Sequence, residues 1–371
     1  RVYADLGEKQ KALDCYTQSL PLYRTVGDRG GEATALANIG SVYDSLGEKQ
    51  KAVDYLAQAL PLYGAVGDRV GAATALTNIC GIYNSLGKRQ EALECLAEPL
   101  LLFHAVGDRE GEAATLNNIA AVYNLLGERQ KALDYFSQSL SLRRAVGDRP
   151  GEALTLFNIS VLERRTGNLT ESLTNIEAAL VILESLRTKI GSQELRSSYF
   201  ATVQDYYGFY IDLLMQLHKQ RPSEGYDGKA LQASERRRAR SLLETLAEAN
   251  ADIRQGVDSK LLERERTLQQ QLNVEAQEQV KLLSGQHTEE QALVIAKEVD
   301  ALTNEFQQTE VQIRQTSPRY ASLTQPQPLT LKEIQTQVLD KDTLLLQYSL
   351  DTDRSYLWAV TQDSITSYEL P

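Results

Sequence analysis

The chain has 371 residues with 39 Lys and Arg against 50 Asp and Glu, which gives a formal net charge of −11. An acidic chain of this kind is a poor candidate for binding the phosphate backbone of nucleic acids. Hydrophobic residues make up 42% of the chain, which is typical of a folded globular protein. The apolar runs are much shorter than the roughly 18 residues that a membrane span needs, so we expect no segment to cross a bilayer.

The chain has three cysteines, Cys15, Cys80 and Cys95. Secreted proteins held by disulfides have an even and denser set. We therefore expect three buried thiols without chemistry and a cytoplasmic location. No spacing of histidines and cysteines fits a metal site, and we predict no metal and no cofactor. Because the chain begins at Arg1 without a leader, we interpret it as a fragment.

Two sets of glycines recur every 40 residues, twenty residues out of phase with each other. They are Gly7, Gly47, Gly87, Gly127 and Gly167, and Gly27, Gly67, Gly107 and Gly147. Between them, apolar and small residues are spaced by three and four, as in Leu36, Ile39 and Tyr43, which indicates helices. The glycines are expected to end helices in left-handed caps, and the Asp after each glycine of the second set to begin the next helix. The repeat therefore predicts a solenoid of helix hairpins.

The segment NIGSVYDSLGEKQKAVDYLAQAL resembles the tetratricopeptide repeat (TPR), and its 40-residue length resembles the long repeats of Pins-type scaffold proteins. The resemblance covers residues 1–190 as half a repeat followed by four whole repeats. The last repeat is degenerate, because Glu163 occupies the position of Tyr43, Tyr83 and Tyr123. This departure suits a terminal repeat.

The second half of the chain begins with helical patterns and then changes character. Residues 191–227 predict a capping helix and a loop that ends at Gly228, and 228–328 predict a helical linker with a long antiparallel hairpin. Residues 329–371 contain short β-branched or aromatic runs that predict strands. The expected fold class is mostly α, a superhelical solenoid followed by a helical hairpin and a short, incomplete β segment. We expect this β segment to be poorly stable, with an open edge and an uncovered apolar face.

Residues 228–371, with the segments SERRRARSLLETLAEA and SPRYASL, resemble the start of a CHAT domain. This caspase-like peptidase domain commonly follows TPR arrays in cyanobacteria and other bacteria. The resemblance implies that 329–371 are the first strands of an incomplete CHAT domain, whose catalytic histidine and cysteine lie further along the chain. The last cysteine here is Cys95 and the last histidine is His287. We therefore predict no catalytic residues and no enzyme activity, with an active cysteine peptidase in the full-length parent as the alternative.

The TPR resemblance implies that the first helix of each repeat lines the concave face. An asparagine recurs there in every whole repeat, at Asn38, Asn78, Asn118 and Asn158. An amide side chain can donate to a carbonyl and accept from an N–H, so this ladder predicts binding of an extended peptide. The alternative is that these amides join one repeat to the next.

Four further residues are predicted to contribute to peptide binding. Asn117 lies beside the ladder, and Arg164 and Arg165 with Phe157 are expected to anchor a carboxylate at the last repeat. The alternative for these arginines is pairing with acidic residues of the helix over 193–217. The predicted function is a protein–protein interaction scaffold, the sensing arm of a CHAT peptidase, with its partner and oligomeric state left open.

A second alternative is a nucleic-acid binder that uses a basic run. The run consists of Arg236, Arg237, Arg238 and Arg240. The same helix carries Glu235, Glu244 and Glu248, and Arg240 is spaced to pair with Glu244. These acidic residues and the acidic composition oppose nucleic-acid binding.

Overall fold

The computed structural model describes residues 9–187, 193–248, 256–283, 289–318, 320–321, 328–351 and 354–370. The chain divides into two compact units, Arg1–Leu183 and Glu184–Pro371. The boundary falls inside a helix. Among the described residues, no helix is long and apolar enough to cross a membrane.

The first unit is built from consecutive helices joined by short turns. In chain order they are α1 (Lys9–Val26), α2 (Arg29–Ser45), α3 (Lys49–Val66), α4 (Arg69–Ser85), α5 (Arg89–Val106), α6 (Arg109–Leu126), α7 (Arg129–Val146), α8 (Arg149–Arg165) and α9 (Leu169–Arg187). Each helix contacts the next along the chain from α1 to α8. Pro21, Pro61 and Pro99 lie inside α1, α3 and α5, and the helices continue through them.

The same pair of residues forms the turn between repeats. Gly67 adopts a left-handed conformation with φ 74° and ends α3. The side chain of Asp68 then accepts a hydrogen bond from the backbone N–H of Gly71 at 2.8 Å and caps α4. The equivalent bonds recur at the start of α2, α6 and α8. The predicted glycine and aspartate caps are therefore confirmed.

Small residues let the two helices of a repeat approach closely. A Cβ atom at Gly40 of α2 would lie 2.8 Å from Leu56 Cγ and 3.0 Å from the Ala52 carbonyl oxygen. Ala52, Ala92 and Ala132 are fully buried. These contacts confirm the solenoid of packed helix hairpins.

The described residues of the second unit include four long helices. They are α10 (Gln193–Gln220), α11 (Tyr226–Glu248), α12 (Ser259–Leu283) and α13 (Glu289–Thr316). Helix α11 begins at Tyr226, two residues before the predicted end of the loop. Arg264, near the start of α12, pairs with Glu305 in the second half of α13, so the two helices run antiparallel as predicted.

The C-terminal segment forms a one-turn helix α14 (Leu331–Glu333) and a three-stranded antiparallel sheet. The strands are β1 (Leu345–Ser349), β2 (Ser355–Val360) and β3 (Ile365–Leu370), in the order β1-β2-β3. The predicted strands are therefore present.

One face of the sheet is buried and the other is exposed, so the expected uncovered apolar face is present on one side of the sheet only. Trp358 is fully buried on β2, and the hydroxyl of Tyr356 donates to Asp212 of α10. The opposite face exposes Leu346, Tyr348 and Tyr368, each with about half of its surface accessible. Helix α10 thus covers the inner face, and the outer face stays apolar and exposed.

The prediction of three buried thiols is wrong. Cys80 of α4 and Cys95 of α5 form a disulfide, and Cys15 is an exposed free cysteine. Cys80 occupies a buried packing position as expected, but α5 places Cys95 directly opposite it. The sequence shows two separate departures from the repeat and does not show that their sulfur atoms meet.

Candidate peptide-binding groove

The first helices of the repeats form a continuous layer. Helix α2 contacts α4, α4 contacts α6, and α6 contacts α8, in addition to the contacts within each repeat. On each of these helices, every third or fourth residue faces away from the helix pairs. We call this set the inner stripe. It consists of Thr34, Asn38 and Ser41 and their equivalents Thr74, Asn78, Gly81, Ala114, Asn118, Ala121, Leu154, Asn158 and Val161.

The asparagine ladder lies along the middle of the inner stripe. Asn78 is exposed, and Asn38 and Asn118 are partly exposed. Within the described part of the chain, none of these three side chains makes a hydrogen bond. Each lies one residue before a buried isoleucine of the core, which fixes its place on the helix. Three amides at equivalent positions are therefore available to a ligand.

The fourth asparagine is engaged within the array. Asn158 Nδ2 donates to Asn117 Oδ1 of the preceding repeat at 3.1 Å, and Asn117 is only 6% exposed. This contact matches the alternative in which the amides join one repeat to the next. Asn117, predicted to contribute to peptide binding, is therefore buried and engaged between two repeats.

The chemistry of the inner stripe changes along the array. The position of Thr34 and Thr74 becomes Ala114 and then Leu154, and Leu154 is 42% exposed. The position of Ser41 and Gly81 becomes Ala121 and then Val161. The stripe thus changes from small polar residues in the second repeat to aliphatic residues in the fifth.

The predicted basic anchor lies at this aliphatic end. Arg165 is exposed, and its Nη1 donates to Asn124 Oδ1 of α6 at 3.2 Å. Arg164 and Phe157 are partly exposed on the same helix. The guanidinium of Arg165 is thus positioned by a neutral amide. Because Asn124 carries no charge, it does not neutralise the positive charge of Arg165.

Glu163 departs from the repeat and forms an ion pair from a buried position. This residue is 5% exposed and stands where other repeats have a tyrosine. Arg129 of α7 donates to Glu163 at 2.8 Å, and Asn168 Nδ2 donates to it at 2.7 Å. The carboxylate therefore replaces an aromatic contact with an ion pair, which sequence analysis treated only as degeneracy.

Arg143 makes a comparable exchange that sequence analysis missed. It is 6% exposed and occupies the position of Tyr63 and Phe103 in earlier repeats. Its Nη1 donates to Asp148 at 2.8 Å, the residue that caps α8. In the sequence, this exchange is visible as an arginine at a position that is aromatic in earlier repeats.

Two of the four arginines in the basic run of α11 pair within the second unit. Arg237 Nε donates to Gln204 at 2.7 Å and its Nη1 donates to Asp351 at 2.6 Å. Arg238 pairs with Glu235 at 3.0 Å. The side chain of Arg240 lies outside the described residues. These contacts engage Arg237 and Arg238 with acidic and amide partners, as the acidic residues around the run led us to expect.

Comparison with known proteins identifies the repeats. The tetratricopeptide repeat family matches residues 1–65, 71–145 and 111–185, so these segments are tetratricopeptide repeats. No similarity to a curated protein is detected. Among the described residues, no group of three His, Cys, Asp or Glu side chains could hold a metal ion.

Several solved structures are similar to part of this chain. BtubC (BKLC) from P. vanneervenii is 19% identical, with 50% of this chain and 76% of that chain covered and a TM-score of 0.43. A Rap protein complexed with competence and sporulation factor is 16% identical, with 67% and 73% covered and a TM-score of 0.47. Aspartyl phosphate phosphatase F from Bacillus subtilis is 15% identical, with 62% and 69% covered and a TM-score of 0.46. Likenesses this low carry no argument about function.

Proposed function

We propose that the repeat array is a protein–protein interaction scaffold that binds an extended peptide along the inner stripe. The observation that carries this proposal is the row of three amides, at Asn38, Asn78 and Asn118, that make no hydrogen bond to any part of the chain that the structure describes. Unengaged amides at one helical position in successive repeats match the regular donors and acceptors of a peptide backbone. Their small neighbours leave room for the chain to approach.

We further propose that the last repeat sets specificity. Leu154 and Val161 accept an aliphatic or aromatic side chain, with Phe157 beside them. Arg164 and Arg165 hold a carboxylate in paired hydrogen bonds. The bound segment is then an acidic side chain or a C-terminal carboxylate at one end, followed by small residues over the second and third repeats.

The test begins with a random peptide library selected on the purified chain. A fluorescein-labelled member of the selected set is then titrated by fluorescence anisotropy. The double variant Asn78→Ala/Asn118→Ala should weaken its binding by about 1–3 kcal/mol, on the scale of hydrogen bonds lost at an interface. Its melting temperature should stay close to that of the parent chain.

Asn158→Ala is the matched control, because the same amide is engaged inside the array. It should lower the melting temperature and leave the Kd of the peptide nearly unchanged. Unchanged affinity of the Asn78→Ala/Asn118→Ala variant, with a drop in its melting temperature, would show that the ladder is structural. Failure to select any peptide would refute the scaffold proposal itself.

The anchor is tested by charge reversal and by the peptide terminus. Arg164→Glu and Arg165→Glu should each weaken an acidic peptide at least about tenfold, and amidating its C-terminus should have a comparable effect if the terminal carboxylate is bound. Arg69→Glu makes the same charge change at an exposed residue outside the stripe and should have little effect. Binding that survives both reversals contradicts the anchor.

We also propose that the chain is the sensing arm of a bacterial, cytoplasmic CHAT peptidase. The support is the sheet, whose outer face exposes Leu346, Tyr348 and Tyr368 and calls for a covering layer. The decisive observation is the parent reading frame beyond residue 371, which should encode a histidine and a cysteine in a caspase-like context. This chain itself should not react with thiol-directed peptidase probes that label an active-site cysteine.

A further inference from the structure

The third repeat, formed by α4 and α5, departs from its neighbours at two facing positions. The position of Cys80 is Gly40, Ala120 and Ser160 in the other repeats. The position of Cys95 is Tyr55 and Tyr135 in the repeats on either side. Both departures are cysteines, and the structure joins them in a disulfide.

In the neighbouring repeats a pair of stacked rings bridges the two helices. Tyr55 stacks on Tyr43 with ring centroids 5.3 Å apart, and Tyr135 stacks on Tyr123 at 5.6 Å. In the third repeat Tyr83 is retained, but its ring partner is replaced by Cys95. The covalent bond therefore takes the place of an aromatic contact between the helices.

The two sulfur atoms differ in access. Cys80 is fully buried at 0% exposure, whereas Cys95 is partly exposed on α5. An external reagent therefore reaches the sulfur of Cys95 first. The carbonyl oxygen of Leu76 lies 3.9 Å from Cys95 Sγ, so a reduced Cys95 has an acceptor for its thiol proton.

We propose that Cys80–Cys95 is a reversible thiol–disulfide exchange site that locks the third repeat, with a small thiol such as glutathione as its reactant. The thiolate of one glutathione attacks Cys95 Sγ, and Cys80 leaves as a thiolate and takes up a proton. A second glutathione thiolate attacks the glutathione sulfur of the mixed disulfide and releases Cys95. Two electrons pass to the protein, and two glutathiones become one glutathione disulfide.

Burial of the leaving sulfur, that of Cys80, slows the exchange at this site. A buried thiolate is unfavourable, so Cys80 is a poor leaving group and the exchange is slower than at an exposed disulfide. After reduction the repeat has neither the covalent bond nor the ring stack of its neighbours. Helices α4 and α5 then become the least stable pair of the array.

The experiment equilibrates the full chain carrying Cys15→Ser in glutathione buffers of graded ratio. Acid quenching, alkylation with N-ethylmaleimide and mass spectrometry then count the free thiols. Cys80 and Cys95 should become free together at one midpoint and should close again on reoxidation. Alkylation of either residue in the absence of reductant, or failure to reoxidise, overturns the proposal.

Amide hydrogen exchange gives the second readout. The disulfide closes a loop with a sequence separation of 15. Its reduction should speed exchange in α4 and α5 by about 100-fold, with a much smaller change in α2 and α3. A uniform change across the array would contradict a lock confined to this repeat.

The variant Cys80→Ala/Cys95→Tyr rebuilds the ring pair of the neighbouring repeats. It should exchange slowly in α4 and α5 whether or not glutathione is present. Cys80→Ser/Cys95→Ser should show the fast exchange of the reduced chain under all conditions. If the rebuilt variant fails to fold, the serine pair and the Cys15→Ser chain still decide, because equal exchange in the two chains under oxidising conditions refutes the lock.

Discussion

Two glycines inside first helices should respond in opposite ways to the same substitution. Gly40 of α2 faces the partner helix, where a Cβ would meet Leu56 Cγ at 2.8 Å and the Ala52 carbonyl oxygen at 3.0 Å. Gly81 of α4 lies on the inner stripe, and a Cβ there would meet nothing within 4 Å. Comparing Gly40→Ala with Gly81→Ala therefore separates the effect of helix propensity on stability from the effect of close packing between helices.

The magnitudes follow from these contacts. Alanine in place of glycine inside a helix stabilises by about 0.5–1 kcal/mol. Overpacking a filled site costs about 1–3 kcal/mol. Gly81→Ala should therefore raise the free energy of unfolding by about 0.5–1 kcal/mol, whereas Gly40→Ala should change it by between about zero and a loss of 2.5 kcal/mol.

Thermal and urea unfolding followed by circular dichroism measure the difference. For a unit of this size, 1 kcal/mol corresponds to a shift of roughly 2–4 °C in melting temperature. Ala120 occupies the equivalent of Gly40 in the fourth repeat and is fully buried, so the cost at Gly40 measures how far α3 has to move. If Gly40→Ala stabilises as much as Gly81→Ala, the close approach of α2 and α3 is refuted.

Three further results are expected. Hydrogen bonds from the backbone N–H and the hydroxyl of Thr330 lower the pKa of Glu333, so this carboxylate stabilises at neutral pH, and its contribution is lost as the pH falls through its folded pKa. Thr330→Ala removes only the hydroxyl donor and should raise that pKa partway towards its ordinary value in an NMR titration. Glu163→Gln should cost about 1–2 kcal/mol in urea unfolding, because Arg129 loses its charged acceptor. Burial raises the pKa of Tyr206 to about 12, so its ring should remain un-ionised while exposed tyrosines titrate, and stability should fall once the pH exceeds the ordinary tyrosine pKa of about 10. In Tyr206→Phe, the increase in ultraviolet absorbance from tyrosines that ionise only at high pH should become smaller by the contribution of one tyrosine.

Much of the repeat array could be predicted from the sequence because its determinants are local. A left-handed glycine followed by a capping aspartate, as at Gly67 and Asp68, acts through the backbone of the same turn. The apolar spacing that forms each helix is equally local, and the strands of the C-terminal segment follow from short β-branched and aromatic runs.

The features that were missed depend on which side chains meet across helices. Cys80 and Cys95 are joined because the packing of α4 against α5 brings their two repeat positions together. The residues found at either position in the other repeats do not indicate that contact. The pairing of Asn158 with Asn117 matches the alternative in which the amides join the repeats, but it joins residues 41 positions apart, and the sequence does not show which asparagine of the ladder forms it. The hydroxyl of Tyr356 donates a hydrogen bond to Asp212, which lies 144 residues earlier in the chain. Each of these contacts depends on tertiary geometry that no local pattern encodes.

The uniform turns have a consequence for how such a chain changes between generations. Because Gly67 and Asp68 and their equivalents close each repeat before the last in the same way, a gene segment of one repeat can be lost or duplicated without disturbing a turn. Unequal crossing-over between near-identical segments of adjacent repeats, such as DLGEKQKAL and SLGEKQKAV, which begin 40 residues apart, would do this in steps of 40 codons. Each step would lengthen or shorten the row of asparagines by one, so the reach of the array could evolve in whole units while its terminal repeat stays in place.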